Sequence, residues 1–186
     1  MRNRFIAFAA AFLAVANLAQ AQQQTPPAMP HAGEGQMGEM HHGTHPPVPA
    51  GPLTITFNDK ISEWTTEKLA ALPHLTITLY NEHVKANQTY SGVPLIELLK
   101  PLGVPDKPHG MDFRLYLVAE GSDGYKVTYS AAEATPDVHD GTVLVADSLG
   151  GKPLGDNGPL QLVATGEKRP ARWVRNLVAI RVKTAE

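Results

Sequence analysis

The chain has 186 residues, and its 16 Lys and Arg face 18 Asp and Glu for a net charge of −2. A mildly acidic chain of this length predicts one folded domain with extensions and does not indicate nucleic-acid binding. The sequence contains no cysteine. That excludes disulfide bonds, thiolate metal ligands and a cysteine nucleophile.

Residues 1–21 have the pattern of a secretory signal peptide. A basic start is followed by an apolar run and by a small-x-small cleavage site that ends at Ala21. The two arginines of the start, Arg2 and Arg4, are not adjacent. The signal therefore lacks the Arg-Arg pair that marks export of a folded, cofactor-loaded protein. We expect a periplasmic protein that is secreted unfolded and acquires any cofactor outside the cytoplasm.

Residues 22–52 form a low-complexity leader, first rich in Gln and then in Pro, Gly, Met and His. Such a segment buries too little apolar surface to fold, which predicts a disordered tether. The leader also holds the thioether and imidazole groups of Met29, Met37, Met40, His31, His41, His42 and His45. These groups suit copper better than hard cations, so a copper-handling function is an alternative.

Residues 53–186 are predicted to form one α+β, mostly β domain. Apolar patterning predicts strands at residues 53–57, 75–79, 115–119, 125–129, 143–146, 160–164 and 177–182. The run at 143–146 is nearly continuous, as in a strand buried on both faces. Capping residues and prolines predict short helices after Thr65 or Thr66, at Pro94 and at Ser130.

Three elements stand out as candidate binding segments. The turn from Ser122 to Tyr125 offers backbone amides and the carboxylate of Asp123, and Gly158-Pro159 fixes a loop before the next strand. The third element is the basic segment, residues 168–175, in which four of eight residues are cationic.

Pro170 disfavours a regular helix through the basic segment, so an extended or 3₁₀ path is expected. In such a path Arg169, Arg172 and Arg175 recur every third residue and can share one side. Guanidinium groups beside Trp173 suit a planar, oxygen-rich or anionic ligand. The other interpretation is a solvated basic edge whose Trp anchors into the core.

Several short motifs follow one another along the domain at characteristic intervals. They are Tyr90–Leu95, Leu98-Leu99, Gly103-Val104, Asp123–Tyr125, Gly151–Leu154, Gly158–Leu160 and Arg169–Arg175. Together they resemble the sulfite-oxidase-type molybdopterin-binding domain family, most closely its small, cysteine-free, exported pterin-binding members. The resemblance covers roughly residues 53–184 and implies a fold of mixed short sheets with a few short helices.

Two departures from the catalytic members of that family bear on function. In those members a cysteine thiolate that precedes the Tyr-x-Gly-Val-Pro-Leu-like segment ligates molybdenum. The comparable region here offers Tyr80, Asn81, Glu82 and His83. These groups cannot replace a soft thiolate without changing the metal site. The signal also lacks the Arg pair, so we expect no catalytic residues and no metal in the domain.

The resemblance implies a reduced pterin as ligand, in preference to molybdopterin. An Asp carboxylate can accept from the ring amine and N–H, Arg can donate to the carbonyl or stack, and Trp can form a wall. The candidate ligand-binding residues are Asp123, Gly124, Tyr125, Lys168, Arg169, Arg172, Trp173 and Arg175.

The sequence therefore predicts an exported pterin-binding protein that holds its ligand without redox turnover. A partnership with a membrane sensor protein, and so a signalling role, is implied by the resemblance. One alternative is a molybdopterin-dependent oxidoreductase with non-cysteine ligation, and the other is copper handling through the Met/His leader. The oligomeric state is left open.

Overall fold

The computed structural model describes residues 51–82 and 84–186. The predicted signal peptide and the Met and His side chains of the leader, which were considered as copper ligands, lie outside the described residues, as does His83.

Within the described ranges the fold consists of ten strands, two short α-helices and several 3₁₀ turns. The strands are β1 (Leu53–Phe57), β2 (Lys60–Trp64), β3 (Leu75–Asn81), β4 (Ala86–Pro94), β5 (Leu115–Gly121), β6 (Lys126–Ser130), β7 (Val143–Leu149), β8 (Lys152–Pro153), β9 (Gln161–Ala164) and β10 (Leu177–Thr184). The helices are α1 (Thr66–Ala70) and α2 (Leu95–Leu99). No described helix is long and apolar enough to cross a membrane.

The strands form two five-stranded sheets. The first has the order β2-β1-β10-β5-β6, and the second has the order β3-β4-β7-β8 with β9 also paired to β7. β1 and β10 run parallel, and the hairpins β3–β4 and β5–β6 are antiparallel. The predicted mostly β, α+β class is confirmed.

Local sequence explains most of these elements. β5 alternates strictly between buried and half-buried residues, as its apolar pattern predicts, and β7 begins with four consecutive buried residues. Thr65 caps α1 by accepting a hydrogen bond from the Lys68 amide at 3.3 Å. The Ser130 amide donates to Glu133 Oε1 at 2.9 Å and closes the predicted capping box.

β2 was not predicted, because its apolar residues do not mark a buried face. Ile61 is 69% exposed in β2. The strand exists because a tight turn at Asn58, with φ of 52°, folds it back onto β1. Backbone pairing, rather than burial of side chains, defines this strand.

One apolar cluster joins the two sheets and α2. Tyr90 of β4 and Trp173 pack edge to face in it, with ring centroids 5.5 Å apart and an interplanar angle of 80°. Beside them β4 and β7 approach closely at Gly92, where a Cβ would lie 2.2 Å from the Val145 carbonyl oxygen. This packing fixes the inner face of β4, on which the cavity described below is built.

Candidate ligand-binding cavity

The turn between β5 and β6 presents Asp123 at its tip. The Gly124 amide donates to the Gly121 carbonyl at 3.0 Å, and Gly124 adopts a φ of 81°. The Tyr125 amide donates to Asp123 Oδ1 at 2.9 Å. This local bond orients the carboxylate while the side chain stays exposed.

The basic segment follows the predicted non-helical path. Pro170–Arg172 forms one 3₁₀ turn, and Arg169 before it and Trp173 after it are extended. Val174 then pairs with Leu162 of β9 through backbone hydrogen bonds of 2.8 and 3.0 Å. The segment is thereby joined to the second sheet.

Tyr125 of the β5–β6 turn and Tyr129 of β6 hold the same segment from the other side. The hydroxyl of Tyr125 donates to the Ala171 carbonyl, and that of Tyr129 donates to the Arg172 carbonyl. The Trp173 indole N–H donates to the Ala164 carbonyl at 2.9 Å. The segment is therefore a fixed wall, and its Trp is both a core residue and a cavity-lining residue.

Asn176 connects the three elements that the sequence singled out. Its amide donates to the Asn157 carbonyl at 2.7 Å, and its carbonyl accepts from the Ser122 amide at 2.9 Å. A Cβ on Gly158 would lie 1.8 Å from Asn176 Oδ1, so the Gly-Pro loop can approach only as glycine. The Asp-Gly turn, the Gly-Pro loop and the basic segment thus meet at one place.

A cavity of about 520 Å³ lies where these elements meet the β3–β4 hairpin. This volume is within the range of ligand sites in proteins. Four of the eight predicted binding residues line it: Asp123, Tyr125, Trp173 and Arg175. Polar side chains that the sequence did not single out as ligand-binding residues also line it: Asn81, Gln88, Asp156, Asn157 and Gln161.

The β4 wall of the cavity carries a connected polar group. Gln88 Oε1 accepts hydrogen bonds from the Tyr90 hydroxyl at 2.9 Å and from Asn81 Nδ2 at 2.6 Å. Burial raises the pKa of Tyr90, while its hydrogen bond with Asn81 and the charge of Arg175 act in the opposite direction. Tyr90 therefore stays protonated and donates to Gln88.

Gln161 is the most unusual residue of the lining. It is 2% exposed, and its Oε1 atom is buried without a hydrogen-bond partner in the described part of the chain. A buried polar atom left without a partner costs about 1–3 kcal/mol. β9 was predicted as a strand from its apolar residues, and nothing in that pattern marks the intervening Gln as buried.

Arg175 is exposed on the cavity wall and makes no ion pair or side-chain hydrogen bond with the described residues. The carboxylate of Asp123, in the turn between β5 and β6, lines the same cavity. The cavity therefore combines one cation, the carboxylates of Asp123 and Asp156 and several neutral amides with the aromatic rings of Tyr90 and Trp173.

Arg172 lies in a different environment. Its Nε donates to Glu167 Oε1 at 2.8 Å, and its Nη2 contacts Glu167 and donates to Glu133 Oε2 at 3.0 Å. Its guanidinium carbon lies 4.4 Å from the centroid of the Tyr129 ring. The hydrogen bonds to Glu167 and Glu133 raise the pKa of Arg172. Arg172 is not among the residues that line the cavity.

Lys168 and Arg169 line a second, smaller cavity of about 210 Å³ together with Tyr80 and Glu82. Trp173 borders both cavities. The three arginines that were expected to share one side thus occupy three separate environments. Gly124 shapes the turn and, in the described structure, does not line the larger cavity.

Residues 51–82 and 84–186 hold no group of three or more His, Asp or Glu side chains that could bind a metal ion.

No protein-family model matches the chain, and no curated protein matches it. Among solved structures, the chain is similar to the sulfane dehydrogenase SoxCD from Paracoccus pantotrophus, with a TM-score of 0.55 and 24% sequence identity. The match covers 73% of this chain and 39% of that one, so this chain spans about two-fifths of the length of its match. The likeness confirms the predicted sulfite-oxidase-like fold of mixed short sheets with a few short helices.

Proposed function

We propose that the protein is an exported pterin-binding protein whose larger cavity holds a reduced pterin or a molybdopterin-like ligand without redox turnover. The observation that supports this proposal most strongly is the burial of the Gln161 side chain in the cavity lining. Its carboxamide is buried in the cavity lining, and Oε1 has no partner among the described residues, which is a cost to the free protein that a polar ligand can offset.

The chemistry of the lining fits a pterin head group. The Asp123 carboxylate can accept from the ring amino group and the adjacent N–H as a two-point contact. Arg175 can donate to the ring carbonyl or stack on the ring. The rings of Tyr90 and Trp173 supply flat apolar surface for the bicycle. The Gln161 carboxamide can turn about its last torsion to meet either a donor or an acceptor.

The proposal of binding without turnover rests on the sequence. The chain has no cysteine, and the region that would supply the thiolate is the β3–β4 connection. There Asn81 bonds to Gln88, and Glu82 pairs with Lys85 at 2.9 Å. A molybdopterin-like ligand would be held by the same wall residues, and the cofactor itself would supply any metal chemistry.

The test is direct. Purified protein is denatured and examined for pterin fluorescence, and the ligand-free protein is titrated with tetrahydrobiopterin in a calorimeter. We expect either released pterin or saturable binding at one site. Absence of both removes the proposal.

The alternative of an oxidoreductase is favoured by the likeness to a sulfane dehydrogenase. Molybdenum near one equivalent in protein purified from the periplasm would establish that alternative against binding alone.

Periplasmic location and a membrane sensor partner are proposed from the signal pattern and the family resemblance. If the leader handles copper, the purified protein should bind copper and should lose it when residues 22–52 are deleted.

A further inference from the structure

The chain crosses from the second sheet to the first at the end of the basic segment. Val174 pairs with Leu162 of β9 in the second sheet, and Leu177 begins β10 and lies opposite Gly121 of β5 in the first. Asn176 lies between them, and its φ of 48° is in the left-handed region. Residues other than glycine are uncommon there, although Asn tolerates it better than most. The crossing therefore depends on a backbone conformation that few side chains allow.

The strand that follows Asn176 is irregular at its first residues. Leu177 lies opposite Gly121, but Ala179 lies opposite Glu120, so β10 has one extra residue at this point. Such bulges bend a strand and change the direction of its side chains, and they are common beside functional sites. Left-handed residues other than glycine are also frequent at such sites. Both features occur here directly after Arg175, which lines the larger cavity.

The backbone of Asn176 connects three parts of the cavity wall. Its amide donates to the carbonyl of Asn157, a lining residue, at 2.7 Å. Its carbonyl accepts from the Ser122 amide at 2.9 Å, and the next residue, Asp123, lines the cavity. Arg175 directly precedes Asn176 and lines the cavity as well. Three lining residues from three different loops are thus placed by one residue that is not itself part of the lining.

The neighbouring loops pack against the same peptide without space for adjustment. A Cβ on Gly121 would lie 2.8 Å from the Arg175 carbonyl oxygen and 2.8 Å from Asp123 Oδ1. A Cβ on Gly158 would lie 2.9 Å from the Asn176 Cα. Close-packed groups transmit a displacement to one another. A change in the backbone at Asn176 would therefore move the loops on both sides of it.

We propose that Asn176 is the positioning residue of the larger cavity. Its left-handed backbone sets the relative placement of Asp123, Asn157 and Arg175, and ligand affinity depends on that placement. Because the backbone carries this role, glycine can replace Asn176, since it adopts positive φ without strain. A β-branched residue cannot adopt that conformation without strain. The affinity part of this inference rests on the proposed function, whereas the placement of the loops can be measured without a ligand.

Hydrogen exchange followed by mass spectrometry on the purified, ligand-free protein measures the placement. In Asn176→Val, amides of residues 121–125 and 174–178 should exchange about tenfold faster or more, because the bonds to Ser122 and Asn157 are weakened. Asn176→Gly should match the wild type. The control is Asn58→Val, which strains another left-handed Asn, with φ of 52°, in the β1–β2 turn. Unchanged exchange at both segments in Asn176→Val overturns the proposal.

Calorimetric titration with tetrahydrobiopterin measures the consequence for affinity. Asn176→Val should weaken binding about tenfold, and Asn176→Gly should restore it to within about twofold of the wild type. Asn176→Ala is a milder variant and should fall between them. Asn58→Val should bind as the wild type does, although its melting temperature falls. Circular dichroism verifies that each variant is folded.

A double-mutant cycle with Arg175→Ala tests how Asn176 acts. The loss of affinity caused by Asn176→Val should be smaller in the Arg175→Ala background, because part of it acts through the placement of Arg175. Equal losses in Asn176→Gly and Asn176→Val would make the Asn side chain itself the ligand contact and overturn the proposal. An equal loss in Asn58→Val would do so too. A wild-type protein that binds no pterin removes the proposed function, and hydrogen exchange then decides the role of Asn176 by itself.

Discussion

Arg172 and Arg175 lie three residues apart on the same basic segment, yet they belong to different parts of the molecule. Arg172 is paired with Glu133 and Glu167 and lies over the Tyr129 ring. Arg175 lines the cavity and has no ion-pair partner in the described structure. One cation holds the wall in place, and the other is available to a ligand.

The difference shows that one arginine supports the wall of the cavity, while another is exposed where it can contact a ligand. Both arginines belong to the same every-third-residue pattern in the sequence. Contacts with Tyr129 of β6, with Glu133 of the 3₁₀ turn after it and with Glu167 just before the basic segment distinguish Arg172 from Arg175. A residue whose charge is already neutralised by two carboxylates has little left to offer a ligand. Substitutions at Trp173, Arg175 and Arg172 test this division.

Trp173 has both roles, since its ring packs in the core and also lines the cavity. Trp173→Ala should lower the free energy of unfolding by about 3–5 kcal/mol, because it removes a large buried ring and its packing on Tyr90. Urea denaturation followed by circular dichroism measures this. The control is Phe113→Ala, since Phe113 is 50% exposed and its loss should cost far less. Equal losses would show that the Trp is not a core residue.

Arg175→Ala should separate binding from folding. We expect affinity for tetrahydrobiopterin to fall by about 1–3 kcal/mol, because a charge-assisted hydrogen bond is lost. The free energy of unfolding should change by no more than about 0.5 kcal/mol, as for an exposed residue. Calorimetric titration and urea denaturation measure the two quantities. Unchanged affinity would make Arg175 a surface cation without a binding role.

Arg172→Ala should show the reverse pattern. Loss of the bonds to Glu133 and Glu167 should cost about 1–2 kcal/mol of stability, because solvent screens a partly exposed ion pair. Arg172→Lys keeps the charge without the forked geometry and should recover only part of that loss. A large loss of affinity with stability unchanged would instead make Arg172 a direct ligand contact.

The His74–Asp147 pair lies away from the cavity and should affect stability alone. The hydrogen bond to Asp147 raises the pKa of His74 above its ordinary value of 6.5. The stabilisation is therefore complete below about pH 6.5 and is lost as pH rises through the folded-state pKa. We expect a loss of at most about 1 kcal/mol, because the pair is near the surface. Thermal unfolding against pH should flatten in Asp147→Asn while ligand affinity stays unchanged.

The sequence predicted the strands that bury a regular apolar face, and it located the Asp-Gly turn, the Gly-Pro loop and the basic segment. It could not predict β2, whose Ile61 is exposed and whose existence depends on pairing with β1. It could not separate Arg172 from Arg175, because the carboxylate at Glu133 is 39 residues away from Arg172. Gln161 was missed because apolar strand patterning does not reveal an unpaired polar residue.

The most direct test of the central claim uses Gln161→Leu in thermal unfolding with and without tetrahydrobiopterin. Replacing an unpaired buried carboxamide by an apolar group of similar size should raise the melting temperature of the free protein. The rise in melting temperature caused by the ligand should be smaller in the variant than in the wild type, because the ligand loses a polar contact. An equal ligand-induced rise in both proteins, or none in the wild type, would contradict the assignment of this cavity as a pterin site.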